Sequence, residues 1–387
     1  MTRRLYAYAF LDDFILLYPV YALLFAETGL SAAQISTLFV IWSVASFAFE
    51  VPSGLLADLF SRRLLLVISP IVTGAGYALW TFLPGYPSFA AGFVLWGAGT
   101  ALTSGAWEAL VYEELARIGR AGSYARVIGR ARAMGSTAML AASALAAPVL
   151  AWGGHPALGA ASIAVCLLGA VAGMALPETR ASPGQDADTA DSADPADSAG
   201  GQGGARALLR DALAAVRRAP ALRLTLLLAS LLTGVTAIDE YLPMLAAGTG
   251  VALAAVPLLV LVTDVGAVAG GWLAGRGTRW LTPVLALAAV CLAVGAATGP
   301  AGFALVGVAF GGFRWAMAAA DARLQEQVGD RYRATITSAA GFGSEVVAVL
   351  LFAAYGAGSA WAPPWQIFAA AAVPYLLIAL GLRRIPR

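Results

Sequence analysis

The sequence predicts an all-α integral membrane protein of twelve spans arranged as two six-helix bundles. Three observations carry that expectation: the composition, the number of apolar runs and the placement of arginine. Of 387 residues, 60 % are hydrophobic and only 12 % are charged, where soluble domains carry about 25 % charged residues. Mean hydropathy is +0.78. A span needs ~20 apolar residues, and the runs 5–27, 33–57, 64–83, 87–112, 127–151, 156–177, 221–247, 251–275, 280–298, 301–324, 335–357 and 365–382 supply twelve.

The arginines fix the orientation. All 24 cationic residues are arginine. All but Arg314 gather at Arg3–Arg4, Arg62–Arg63, Arg117–Arg132, Arg180–Arg223, Arg276 and Arg279, Arg323–Arg333 and Arg383–Arg387, which is every second boundary. The alternate loops, around Ser31, Gly85, Gly153, Thr249, Gly299 and Trp361, hold none. Short cytoplasmic loops carry the positive excess, so both termini are expected in the cytoplasm and the chain in the inner (plasma) membrane. Miscounting by one span would break this alternation.

Taken in order, the first run continues past Asp12 and Asp13 to about Ala26, unlike a cleavable signal. Residues 1–180 then form the first bundle. Residues 181–204, rich in Asp, Ala, Ser and Gly, are too polar and simple to bury a core and read as a disordered cytoplasmic linker. The second unit, 205–387, opens with Leu208, Leu209, Leu213 and Val216 at helical spacing against Arg206, Arg210, Arg217 and Arg218. That is either an amphipathic helix on the inner leaflet or a positive lead-in to the seventh span. The halves echo each other: Asp13 precedes Pro19 as Asp239 precedes Pro243.

Charge inside a bilayer is costly and faces a bundle interior or a water-filled cavity. The third, sixth, ninth and twelfth spans have none in their interiors. The first carries Asp12 and Asp13, the second Glu50, the fourth Glu108, the seventh Asp239 and Glu240, the eighth Asp264, the tenth Arg314 and the eleventh Glu345. Every third helix is therefore expected to face lipid. Glu345 lies ~17 Å along its helix, near the middle of a ~30 Å core, and Arg314 lies at similar depth on the preceding antiparallel helix. An Arg314–Glu345 ion pair is expected there, either as a structural lock or as a switch. Asp264 is placed to pair across the bundle interface. Asp12 and Asp13 are ~100° apart on a helix, so one faces the cavity and the other a neighbouring helix. Desolvated carboxyls exchange protons near neutral pH, the minimum chemistry for proton coupling, although each acid also has a reading as a helix-packing group.

Other classes find little support. The net charge of +2 gives no reason to expect nucleic acid. Cys166 and Cys291 sit inside spans, which speaks against disulfides or a metal site. No nucleophile–base pair, metal cluster, cofactor motif or Walker-type Gly-Lys-Ser/Thr occurs, so no catalytic residue is assigned, and an enzyme or a receptor is a remote alternative. The lone His155 is expected to be a solvated loop group. Trp80, Trp152 and Trp361 near span ends read as interfacial anchors. Tyr18, Tyr21, Trp107, Tyr241 and Trp315 lie near the acids and offer a cation–π surface.

The stretch Gly54-Leu55-Leu56-Ala57-Asp58-Leu59-Phe60-Ser61-Arg62-Arg63 resembles the loop between helices two and three of the major facilitator superfamily. Leu59 stands where that family usually has a basic residue and Ser61 where it has glycine. Gly271–Arg276 is a decayed copy after the eighth span. Gly135, Ser143, Ala147, Pro148 and Ala151 resemble a degraded form of a small-residue motif of the superfamily's drug–proton antiporters, though small-residue stripes are also ordinary packing faces. Pro177-Glu178-Thr179-Arg180 resembles the family's ending of the sixth helix, a boundary marker. Arg333-Ala334-Thr335 resembles the family's opening of the eleventh helix. The resemblance implies two bundles working by alternating access, with helices one, four, seven and ten lining the cavity. Gly54, Asp58, Arg62 and Arg63 would form a cytoplasmic gate, Asp58 lying near Arg333–Thr337 in the outward-open state. It implies a monomer whose partners are a small-molecule substrate, protons and the bilayer. Seven acids against one arginine favour a cation, hence proton-coupled efflux of a small amphipathic or cationic compound. Proton-coupled import, or uniport, of a polar metabolite is the alternative.

Overall fold

The computed structural model describes residues 2–178, 218–328 and 333–383, and within them the side chains of residues 51, 52, 54–58, 278, 333 and 334 are not described. The expected linker and amphipathic helix therefore lie outside the described residues. So do the side chains of Gly54, Asp58 and Arg333.

The described residues fold as helices joined by short turns. They comprise α1 (Thr2–Asp13), α2 (Tyr21–Glu27), α3 (Ala32–Leu59), α4 (Arg62–Phe82), α5 (Tyr86–Arg117), α6 (Tyr124–Met174), α7 (Pro220–Thr236), α8 (Leu242–Ala247), α9 (Val256–Trp272), α10 (Leu281–Ala297), α11 (Phe303–Gln327), α12 (Arg333–Gly358) and α13 (Pro364–Leu382). Nine of the described helical segments are long and apolar enough to cross a membrane. One of these, 121–174, holds two spans, because Gly154 breaks it at φ 62, ψ −163, a conformation open to glycine alone. The shorter α10 and the interrupted α1–α2 complete the twelve.

Two spans are broken where the sequence pattern is continuous. The first stops at Asp13 and resumes at Tyr21; the seventh passes through a 3₁₀ turn, Ala237–Tyr241, before α8. Proline explains both. Pro19 and Pro243 lack an amide hydrogen, and their rings clash with the carbonyls of Ile15 and Asp239 four residues earlier. In the first break, the Leu17 amide donates instead to Ser162 Oγ on the sixth span, at 3.1 Å. Each break sets a pair of acids, Asp12–Asp13 or Asp239–Glu240, at a helix end inside the membrane.

Within the first bundle α4 packs on α5 and α6, α3 on α5, and α1 on α6. Within the second, α9 packs on α11, α10 on α11 and α13, and α12 on α7. Between bundles, α3 meets α12, α6 meets α9, and α2 meets α8. One hydrophobic cluster runs through both bundles, including Tyr21, Phe39, Tyr241 and Phe352. On the face that carries the arginine loops the core divides. Leu5, Leu65, Leu110 and Val127 belong to one cluster, and Leu222, Leu324 and Ile336 to another. Among the described residues the bundles share a hydrophobic cluster at the face opposite the arginines, and the smaller clusters at the arginine face each stay within one bundle.

Two tryptophan and histidine expectations are corrected. Trp152 and Trp361 are exposed, as anchors would be, but Trp80 is fully buried, its Nε1 donating to the Phe89 carbonyl at 3.1 Å. His155 is buried, with Nδ1 3.1 Å from Glu27 Oε2. His155 follows the Gly154 kink directly, and its side chain reaches back to Glu27 at the end of the first span while the turn around it stays exposed.

Candidate functional site

Two cavities adjoin one another, one inside the N-terminal bundle and one between the bundles. The first, of about 370 Å³, is a chamber inside the N-terminal bundle lined by Asp12, Asp13, Tyr18, Trp42, Ser69, Trp96, Thr103 and Cys166, among others. Its lining contains two carboxylates and no cationic side chain. Tyr18 stacks on Trp96 at 5.3 Å, and Trp96 on Trp42 at 5.1 Å, so a run of three aromatic rings shares the lining with the acids. Both Asp12 and Asp13, at the end of α1, line this space, which corrects the expectation that only one of them faces a cavity. Asp13 also lies against the fifth span, where a β-carbon at Gly135 would fall 2.0 Å from its Oδ2. Gly135 thus belongs to the site by making room for a carboxylate, a role its place in a small-residue stripe did not disclose. The third and sixth spans contribute Ser69, Thr73, Cys166 and Gly169 to the chamber, which corrects the expectation that they face only lipid. The charge census missed them because their polar groups are hydroxyls and a thiol.

The second cavity, of about 360 Å³, lies between the bundles and is lined by Trp42, Ser46, Thr100, Asp239, Glu240, Arg314, Ser344, Glu345 and neighbours. Its walls come from the second, fourth, seventh, tenth and eleventh spans and, among the described residues, from no span of the third, sixth, ninth or twelfth. Trp42 and Thr100 line both cavities and form the partition between them. Trp42 Nε1 and Ser46 Oγ are buried donors without a hydrogen-bond partner among the described residues. Arg314 and Glu345 share the cavity as their depth predicts, but the described ion pairs do not include them. Arg314 is instead in electrostatic reach of Asp239, in the break of the seventh span, and of Asp264 on the eighth. Asp264 receives a hydrogen bond from Ser143 Oγ across the bundle interface, at 3.0 Å. Glu108 stands apart. It is exposed and 3.3 Å from Arg132 on the fifth span, and it lines neither cavity.

The face opposite the arginines is closed by contacts between bundles. Tyr21 donates to Glu240 Oε2. Ser36 and Tyr241 share a hydrogen bond of 2.7 Å, and Tyr241 is held by stacking on Tyr355 of its own bundle at 3.5 Å. Phe39 packs against Tyr241 and Phe352 at 5.2 and 5.4 Å. On the arginine face the described polar contacts stay within a bundle. Arg62 pairs with Glu113, and Arg4 donates to the Ala175 carbonyl at 2.9 Å. Glu178, a boundary marker in the sequence, accepts from Ser61 Oγ and from the Arg63 amide. A carboxylate belongs at a helix N-terminus, and Ser61 caps the same helix by accepting from the Leu64 amide at 3.1 Å. That capping accounts for serine at a position where the resembling loop has glycine.

Twelve spans in two bundles, sealed at one face around acid-lined cavities, define a secondary membrane transporter. The Major Facilitator Superfamily model matches residues 5–352, and the chain belongs to that superfamily. No curated protein sequence matches it. Among solved structures, a variant of the nucleoside transporter NupG aligns at 12 % identity over 100 % of both chains, with a TM-score of 0.78. A D-xylose–proton symporter aligns at 16 % identity and a TM-score of 0.67 over 100 % of this chain and 97 % of that one. A bacterial homologue of the human lysosomal transporter Spinster aligns at 14 % and 0.67, over 98 % and 95 %. At these identities the likeness concerns the fold.

Proposed function

We propose that the chain exports a small organic cation in exchange for protons, by alternating access. The observation that carries this reading is the N-terminal chamber: two carboxylates, three stacked aromatic rings and no cationic side chain in its lining. A positive amphipathic molecule fits such walls through charge and cation–π attraction. In the second cavity Asp239, Glu240 and Glu345 outnumber Arg314, which supports the same sign of substrate. A cavity carboxylate holds either a proton or the cation, and that competition across alternating access suffices to exchange one for the other.

In this reading the arginine loops and both termini are cytoplasmic by the positive-inside rule, so the arrangement described is inward-open. Asp58 would latch the arginine face in the outward-open state. Arg62, engaged with Glu113, would have to release it to join.

Import of a polar metabolite with protons is the second reading. Ser46, Thr100, Thr233 and Ser344 line the central cavity, and the solved relatives include a nucleoside transporter and a D-xylose–proton symporter. Proteoliposomes with an imposed pH gradient and a panel of organic cations, sugars and nucleosides separate the two. Accumulation of a cation against its gradient, driven by counter-moving protons, supports export; co-directional accumulation of a sugar or nucleoside overturns it.

A further inference from the structure

We infer that the groove between the eighth, ninth and tenth spans is a binding site for an anionic phospholipid, independent of the transport reading. The backbones of α9 and α11 touch through facing glycines: a β-carbon at Gly266 would fall 2.0 Å from the Gly307 carbonyl oxygen, and one at Gly270 1.9 Å from that of Gly311. The ninth span, α10, also packs on α11, where a β-carbon at Gly312 would fall 2.7 Å from that of Ala288. With α11 as a common floor, α9 and α10 form two walls. The space between them is a groove of about 620 Å³ lined by apolar residues such as Val262, Val265, Leu273, Val284 and Val308.

The groove is apolar along its length and cationic at one end. From Val262 to Leu273 it follows α9 for about 17 Å, over half of a ~30 Å hydrocarbon core. Val265, Leu273 and Val308 are exposed, and in a chain that spans a bilayer such surface faces lipid tails. Arg276 and Trp280 line the mouth. Trp315 Nε1 fixes that mouth by donating to the Arg276 carbonyl at 3.0 Å. Arg279 lies beside it, its guanidinium 5.6 Å from the Trp280 ring. Neither arginine has a carboxylate partner among the described residues. Two guanidiniums without a described carboxylate partner, with the exposed Trp280 beside them at the end of a tail-shaped groove, match a phosphodiester headgroup followed by an acyl chain. Charge complementarity therefore selects an anionic phospholipid over a zwitterionic one.

The test is native mass spectrometry of the full chain, purified in detergent, with phosphatidylglycerol or phosphatidylcholine added. Phosphatidylglycerol should be retained preferentially. Each arginine near an anionic headgroup contributes about fivefold, so Arg276→Gln with Arg279→Gln should reduce that preference about 30-fold. Val308→Trp fills the groove from its exposed wall and should lower retention of phosphatidylglycerol with both arginines present. Thermal unfolding midpoints near wild type show that each variant is folded. Equal retention of the two lipids, an unchanged preference in the double variant, retention indifferent to Val308→Trp, or a dimer formed through this face that excludes lipid would each overturn the proposal.

Discussion

Tyr21→Phe should release the closed face. The phenol of Tyr21 is the donor to Glu240 Oε2 across the bundle interface, while its ring packs on Phe25, Phe39, Trp80, Phe93 and Trp96 at 5.7–6.0 Å. Removing the hydroxyl leaves those ring contacts in place and takes one donor from a half-buried carboxyl. Leaving a buried acceptor short of its partner costs about 1–3 kcal/mol. The cost falls on the closed arrangement, since the open one hydrates the carboxyl. The open-to-closed ratio at this face should rise about 5- to 150-fold. Spin labels at Leu83 and Trp361, exposed on opposite bundles at the closed face, report it through electron–electron distances in a Cys166→Ala, Cys291→Ala background. A longer component should grow in Tyr21→Phe, whereas Glu240→Gln, which keeps an acceptor for the phenol, should stay nearer the starting distribution. An unchanged distribution in Tyr21→Phe would refute the assignment of this contact as a gate.

Three further outcomes follow from the same geometry. Gly135→Ala should displace the Asp13 carboxyl, lowering stability by about 1–3 kcal/mol as overpacking does; adding Asp13→Ala should restore the unfolding midpoint but not transport. Asp58→Asn, if Asp58 latches the arginine face, should lengthen distances across that face in a sample biased outward-open, and identical distances count against the latch. Shortening residues 181–204 while keeping a spannable link should leave uptake within about twofold, because that composition buries no core; loss of uptake in folded, inserted protein would show a further role.

How much the sequence disclosed depended on whether the relevant force leaves a periodic trace. Span number and arginine alternation are set by bilayer thickness and charge, and both were legible. The break after Asp13 was not, because a run that is apolar on both sides of a kink looks continuous. Pro19 was the available signal, and the echo with Pro243 hinted at it. Of the site residues, Asp12, Asp13, Asp239, Glu240, Arg314 and Glu345 line the two cavities, since a charge in a span has few other places to go. Glu108 does not, because Arg132 on the next span supplies a partner that sequence separation concealed. His155 and Trp80 are buried instead, partnered by Glu27 and by the Phe89 carbonyl. Glu178 gained a partner only when the sixth span ended beside the start of the third.

The most direct test of proton–cation exchange is proton flux in proteoliposomes driven by a cation gradient. With a pH-sensitive dye inside, an outward gradient of a transported organic cation should acidify the lumen as protons enter in exchange. Asp13→Asn and Asp239→Asn, singly or together, should abolish that acidification while cation binding stays measurable. Wild-type acidification in the double variant, or luminal alkalinisation as cation and protons leave together, would contradict the account.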